Sequence, residues 1–302
     1  MNKVTVTVPA TTANIGVGFD CLGAALTMAN KFQFVVVDTN TKLKIMVEGT
    51  EAYKVGLGDG NLLYRSLLEL YHKIGQTPPN LEITIELGVP LSRGLGSSAT
   101  AIVGGLLGGN SLAGNPLSQA EIMEMAIALE GHPDNVVPAL KGNCLLSVED
   151  NGAWQIATIP WHQDIIPIVA IPNFELSTRE ARAVLPREYT RSDVIFNVSR
   201  MGLLIEALKT NNASWLKTAL ADRIHQPYRQ RLIKGYQEIR QAAIAAGAYG
   251  VVISGAGPTL LALTNSQQVE RVISSMKTVW NSVGVRSQIE ALEIDRHGAK
   301  VV

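Results

Sequence analysis

Apolar and polar residues alternate with a period of two over Lys3–Val8, which predicts a strand. A polar, glycine-rich run, Pro9–Gly23, follows and reads as a loop. Phe32–Asp38 and Leu43–Val47 are strand-like again. In Asn61–Ile74 the residues Leu62, Leu63, Leu67, Leu70 and Tyr71 fall at helical spacing, and Gly75, Pro78 and Pro79 end the helix. Leu81–Leu87 alternates as a strand and stops at Gly88 and Pro90. The loop Pro90–Gly96 then feeds directly into an apolar helical run, Ser97–Leu107. Ser118–Glu130 predicts a further helix, opened by the capping-box pair Ser118 and Glu121. Strands are expected near Cys144–Val148 and Ile165–Ile171, and helices at Ile195–Lys209 and Leu232–Ala246. Gly250–Thr264 reads as strand, glycine-rich turn and strand, followed by a helix (Gln268–Val283) and a strand (Val285–Glu293). Interleaved strands and helices favour an α/β or α+β layered architecture. The boundary between two domains is placed near 152–165, dividing the chain into 1–155 and 156–302.

Composition narrows the classes of function. A chain of 302 residues usually divides its core between two domains. With 46% hydrophobic and 17% charged residues it is too apolar for disorder. Twenty-six basic and 26 acidic residues balance, with a pI near 7.0, and leave no electrostatic footprint for nucleic acid or an anionic membrane. Two cysteines, Cys21 and Cys144, make no disulfide framework and no C-x-x-C metal spacing, which points to a reducing compartment. The uncharged stretches Gly94–Ala120 and Gln241–Val269 are broken by serine, asparagine, glycine and proline, so neither predicts a membrane span. The N-terminus shows no apolar secretory region. The expectation is a cytoplasmic protein without nucleic-acid or membrane partners. The alternating strands at its start could join a homodimer interface.

The strongest chemical motif is Pro90-Leu91-Ser92-Arg93-Gly94-Leu95-Gly96-Ser97-Ser98-Ala99-Thr100, set between a strand and a helix. Glycines let backbone N–H groups approach an anion, and a helix N-terminus adds unpaired donors and partial positive charge. Ser97 and Ser98 can donate to phosphate, and a hydroxyl here could also ligate Mg²⁺. The loop is neither a Walker A loop nor the G-x-G-x-x-G turn of dinucleotide-binding folds. Asn14 and Asp20 flank Gly16 and Gly18, so one turn could bring both into a pocket, or an Asx turn could satisfy them locally. Glu130 closes an apolar helix, where its charge opposes the helix dipole and hints at a cation partner. His132, Asp134 and Asn135 follow at once; a triad reading would need a nucleophile, and substrate binding explains them better.

These segments carry a resemblance that spans nearly the whole chain. Pro90–Thr100 resembles the P-x-x-x-G-L-G-S-S-A phosphate loop of the GHMP small-molecule kinases. Pro9–Gly23 is similar to the P-A-[ST]-x-A-N-[LI]-G-x-G-F-D-x-[LM]-G signature carried by the homoserine kinases within that family. Glu130–Val136 is similar to their H-x-D-N-V segment, and Gly250–Thr259 resembles the S-G-[SA]-G-P-T loop of the C-terminal domain. The resemblance implies an α+β, two-domain fold: a ribosomal protein S5 domain 2-like N-terminal domain, a ferredoxin-like C-terminal domain and the active site between them. It implies transfer of phosphoryl from ATP to the side-chain hydroxyl of L-homoserine, with Mg²⁺, on the route to threonine. ATP would lie on 90–100, with Asn61 at the base (or simply an N-cap), and Ser98 and Glu130 would hold the metal. Asn14, Asp20, His132, Asn135, Arg182 and Arg229 would bind the substrate. Thr178 lies where the family has a hydroxyl near the transferred phosphoryl. Asn135 stands where mevalonate and galactose kinases carry a carboxylate base, which makes orientation its expected role. A GHMP kinase for an isoprenoid or sugar alcohol, or a non-catalytic small-molecule sensor on this fold, remains the alternative.

Overall fold

Two long antiparallel strands, β1 (Lys3–Asn14) and β2 (Gly18–Val36), start the fold in a computed structural model that describes residues 2–38 and 40–302. Their outer halves behave as the alternation predicts: Val4, Val6 and Val8 lie buried beside Phe32 and Phe34. The run Pro9–Gly23, expected as a loop, instead forms the inner halves of both strands. Only Ile15–Val17 turns, with Ile15 and Gly16 in the left-handed region at φ 42° and 79°. Register shifts between Pro9 and Ala10 and between Ala13 and Asn14 absorb the proline and the approach to the turn. Thr11, Thr12, Ala13 and Asn14 are buried, and burial between layers holds extended a segment whose composition alone suggests a loop.

The rest of the first sheet is β3 (Leu43–Glu48), β4 (Leu81–Glu86), β5 (Cys144–Asp150) and β6 (Ala153–Ile159). β3 runs parallel to β4, and the β5–β6 hairpin pairs with the inner half of β2. Helices α1 (Leu62–Lys73), α2 (Ser97–Leu112), α3 (Gln119–Glu130) and α4 (Pro133–Lys141) pack on this sheet around its apolar core. Glycines bring α2 close: a Cβ on Gly104 or Gly108 would come within 2.4 or 2.3 Å of the Phe32 or Phe34 ring. Helix α4 was not expected, because two prolines obscure it. Pro133 opens the helix, where no N–H is needed. Pro138, in its interior, has no N–H to offer Asp134. The Asp134 carbonyl packs on Gly23 instead, where an added Cβ would lie 1.7 Å from it.

The second sheet contains β7 (Ile166–Pro172). The chain then runs through α5 (Thr178–Ala183), α6 (Arg191–Thr210), α7 (Ala213–Ala219), α8 (Gln226–Arg229) and α9 (Tyr236–Ala245). The hairpin β8 (Gly250–Ile253) and β9 (Leu260–Thr264), helix α10 (Val269–Ser282) and strand β10 (Ser287–Ala291) follow. The order β10-β7-β9-β8, antiparallel throughout, is the βαββαβ ferredoxin-like arrangement. Helices α5, α7 and α8 are too short to show a period in sequence. One face of this sheet (Ile168, Ala170, Val251, Ile253) packs on α9 and α10 through Ile239, Met276 and Trp280. Its other face (Val169, Ile171, Val252, Leu261) shares a core with Ile15, Leu22 and Leu26 of the first sheet and with Leu204 and Leu208 of α6. A last strand, β11 (Lys300–Val301), returns to pair with β1. The division expected at 155 therefore falls inside β6 and leaves the chain's end with the first sheet.

Candidate active site

The phosphate-loop motif links β4 to α2, with Ser92, Gly94 and Gly96 at positive φ (54°, 75° and 68°). Close approach as well as the turn requires glycine here. A Cβ on Gly94 would lie 2.3 Å from Ser254 O, and one on Gly96 would lie 2.0 Å from Thr11 Oγ1. Neighbouring segments fix the loop. Thr11 N–H donates to Leu95 O at 3.1 Å, and Thr259 N–H donates to Arg93 O at 3.3 Å. Ser254 Oγ donates to Gly94 O at 2.6 Å and lies 2.9 Å from Thr12 Oγ1. Gly255 N–H donates to Ala13 O at 3.0 Å. The glycine-rich segments near residues 16, 94 and 255 are thus knotted together across the domain junction. No side chain caps the N-terminus of α2, so its first N–H groups stay available to an anion.

At the end of α3, Glu130 Oε1 accepts from Ser98 Oγ at 2.5 Å. Burial raises the Glu130 pKa above its usual range and Asp134 adds to the rise, while Ser98 and His132 oppose it. His132 Nδ1 lies 2.5 Å from Asp134 Oδ1. Burial alone would lower the imidazole's pKa, but the hydrogen bond and charge of Asp134, with Glu130, outweigh it and raise the value. Asp134 is buried and engaged by this histidine. Asn135 Oδ1 accepts from Thr11 Oγ1 at 2.7 Å, and this bond orients the amide, whose Nδ2 lies a long 3.4 Å from Asp134 Oδ1.

A charge pair lines the same cleft. Arg182, on α5, donates through Nη1 and Nη2 to Asp20 Oδ2 and Oδ1, both at 2.9 Å. Asp20 N–H donates to Asn14 Oδ1 at 3.0 Å, and Asn14 Nδ2 donates to Gly255 O at 2.8 Å. Arg229, buried on α8, donates through Nε to Ala181 O at 3.1 Å and through Nη1 to Gly255 O at 3.0 Å. Burial lowers its pKa, with Arg182 contributing and Asp20 opposing. Thr178 opens α5 beside the capping box of Ser177 and Glu180.

Asn14, Asp20, Ser92, Gly94, Gly96, Ser97, Ser98, Glu130, His132, Asn135, Thr178, Arg182 and Arg229 line one cleft of about 220 Å³. Arg93 also borders it, but its guanidinium is engaged by Pro172 O, Glu51 and Leu91 O. Asn61 and Leu91 line an adjoining, more apolar cleft with Phe32, Val55 and Leu62, which meets the first at Ser92, Ser97 and Ser98. Asn61 is also the N-cap of α1, accepting from Tyr64 N–H at 3.3 Å. Pro90 lines neither of these clefts, and Leu95, Ala99 and Thr100 are buried behind the loop, the Thr100 hydroxyl donating to Ser97 O. Leu176, Ser177, Gly255 and Ala256 line the main cleft without having been picked out as site residues. The S-x-x-E cap at 177 and the S-G-A-G-P-T turn were the signals that could have placed them.

A helix-borne phosphate cradle facing a carboxylate–guanidinium pair, in a cleft between two α+β units, defines a small-molecule phosphotransferase. Residues 61–143 match the N-terminal domain of the GHMP kinases, and residues 204–282 match their C-terminal domain. The chain is 60% identical over 302 residues to homoserine kinase of Crocosphaera subtropica, covering 100% of this chain and 98% of that one. It is 58% identical over 299 residues to homoserine kinase of Trichodesmium erythraeum, covering 99% and 98%. The crystal structure of homoserine kinase from Cytophaga hutchinsonii superposes with a TM-score of 0.90 at 28% identity, covering 100% and 98%. Mevalonate kinase of Methanococcus jannaschii shares the fold alone, with a TM-score of 0.71 at 14% identity over 96% and 98% of the chains. The chain belongs to the GHMP kinases, in their homoserine kinase family.

Proposed function

We propose that this enzyme transfers the γ-phosphoryl group of ATP to the side-chain hydroxyl of L-homoserine, giving ADP and O-phospho-L-homoserine. The observation that carries the reading is the Asp20–Arg182 pair beside Arg229, facing the phosphate cradle in the same cleft. An amino acid is a zwitterion, and this end offers a carboxylate for its ammonium group and planar guanidinium groups for its carboxylate. The triphosphate lies along Ser92–Ser98 and the N-terminus of α2, and the base lies in the apolar cleft bordered by Asn61 and Leu62. Ser98 and Glu130 supply two hard oxygens, a donor set that suits Mg²⁺ completed by phosphate oxygens and water. Ser98 and Glu130 would hold such a metal, which would supply positive charge to offset the negative charge that develops during transfer.

The protein's own part is orientation. Thr11 fixes Asn135 Oδ1, which leaves the amide N–H₂ to position the attacking hydroxyl. The amide has no basic site near neutral pH. Asp134, the nearest carboxylate to Asn135 in this group, is held by His132. Phosphoryl transfer tolerates the lack of a strong base, because its transition state is loose and asks mostly for positioning and charge stabilisation. Thr178 contributes a hydroxyl to the same cleft.

The test is ADP release with L-homoserine, mevalonate and galactose as alternative acceptors and Mg-ATP as donor. Homoserine turns over far faster than the others in the expected outcome. Equal or greater turnover of mevalonate would overturn the assignment. Among the described residues no helix is long and apolar enough to cross a membrane.

A further inference from the structure

Phe19 lies between the turn that carries Asn14 and the carboxylate of Asp20, and it is only half-buried. An aromatic side chain left partly open beside the cleft-lining Asp20 and Arg182 needs a reason. One face of its ring stacks on His225, with centroids 5.1 Å apart and planes 20° apart. That imidazole is wholly buried, and its Nε2 lies 2.7 Å from Gly16 O, so the stack is anchored to the backbone of the β1–β2 turn. The ring also gathers both candidate carboxylate-binding arginines. Arg229 Cζ lies 5.0 Å and Arg182 Cζ 5.9 Å from its centroid. Both fall within the range of about 6 Å at which a guanidinium feels the negative face of an aromatic ring.

Two like charges beside one ring repel each other, and among the described residues only Arg182 of the two has a carboxylate ion-pair partner. Arg229 donates instead to neutral carbonyl oxygens, Ala181 O and Gly255 O, and feels Asp20 only through space. A bound amino acid must exchange with Asp20 for the face of Arg182 while both guanidinium groups keep their places.

We propose that Phe19 is a positioning residue for substrate recognition: its ring holds Arg182 and Arg229 side by side, ready for the substrate's carboxylate. The inference rests on the reading of the acceptor as an amino acid. The ring touches no reacting atom and acts through the arginines, so its effect belongs to homoserine binding and to discrimination for the carboxylate.

The test compares wild type, Phe19→Leu and Phe19→Trp in steady-state kinetics with L-homoserine and with its carboxamide, which lacks the negative charge. Phe19→Leu keeps apolar bulk and loses the ring. It is expected to raise KM for homoserine about tenfold, with kcat and KM for ATP changing much less. The ratio of kcat/KM for homoserine to that for the carboxamide should fall by a similar factor, and Phe19→Trp should restore much of it. That ratio is read on one preparation, so partial misfolding of a variant cancels. Wild type that turns over no homoserine would overturn the amino-acid reading and this inference with it. Active wild type with an unchanged ratio in Phe19→Leu would overturn the role of Phe19 alone.

Discussion

Each chemical demand of the cleft rests on very few atoms, so single substitutions separate the roles. Ser98 and Glu130 share one short hydrogen bond, and either oxygen would serve Mg²⁺. Ser98→Ala and Glu130→Gln should each lower kcat strongly and raise the Mg²⁺ concentration needed for half-maximal rate, while thermal unfolding stays close to wild type. A wild-type Mg²⁺ titration for Glu130→Gln would make that residue an ordinary charge at a helix end. Arg182 presents a planar fork, and lysine would keep the charge without the fork. Arg182→Lys should weaken homoserine binding by about 1.5–3 kcal/mol and leave ATP affinity nearly unchanged. An unchanged KM for homoserine would remove Arg182 from the substrate's carboxylate. Asn135→Ala should cost at most about 10²-fold in kcat/KM, the scale of a misplaced reactant. A larger loss from Asp134→Asn, with binding intact and the acidic limb missing from its pH–rate profile, would assign base catalysis to that aspartate.

Among the elements, the phosphate loop is where sequence and packing agree most closely. Gly96 takes φ 68° and leaves room for Thr11 Oγ1, which in turn orients Asn135. Gly114 takes φ 86° with nothing near its missing Cβ. Gly114→Ala should therefore cost only the left-handed backbone term, about 1–2 kcal/mol in denaturant unfolding. Gly96→Ala should cost more and also lower kcat/KM, because the new methyl displaces the Thr11–Asn135 pair. Equal costs and full activity would refute this coupling. The helices and strands with clear periods, such as α1, α10 and β4, were legible in sequence because one face of each meets a core. Segments were misjudged where local composition and tertiary burial pull apart. Thr11, Thr12 and Asn14 look like a loop until two layers enclose them, and Pro138 argues against a helix until the Asp134 carbonyl that it leaves unpaired packs on Gly23. The candidate phosphate loop was readable from its glycines, its place between a strand and a helix, and its resemblance to the GHMP kinase loop. The Asp20–Arg182 pair was not, because 162 positions separate its partners and only the fold brings them together.

At the scale of the whole molecule, the cleft exists because two sheets share one core and a few polar ties. His225 is the most exacting of those ties. It belongs to the second half of the chain, is fully buried, and lies with Nε2 2.7 Å from Gly16 O in the first half. Among the described residues its Nδ1 has no hydrogen-bond partner, and Asp222 Oδ2 approaches Nε2 only to 3.7 Å. Burial lowers its pKa below the ordinary value; Arg229 adds to the effect, while Asp222, Gly16 and Asp20 oppose it. The imidazole is therefore neutral in the fold, with Nε2–H donating to Gly16 O. A histidine whose folded pKa is depressed binds fewer protons than in the unfolded chain. Its stabilising contribution is complete above the unfolded value of about 6.5 and is lost as pH falls from there towards the folded value. The slope of that loss cannot exceed about 1.4 kcal/mol per pH unit for one proton. His225→Gln keeps an N–H donor of similar reach and removes the titration. At pH 7.5 the variant should be less stable than wild type in urea unfolding, because it packs less well against Phe19. Between pH 6.5 and 5.5 the gap should narrow by up to about 1.4 kcal/mol, since wild type alone must then bury a cation or unfold. A gap that stays constant across this range would mean that His225 binds its proton equally in both states, and the tie between the halves would then rest on the shared apolar core.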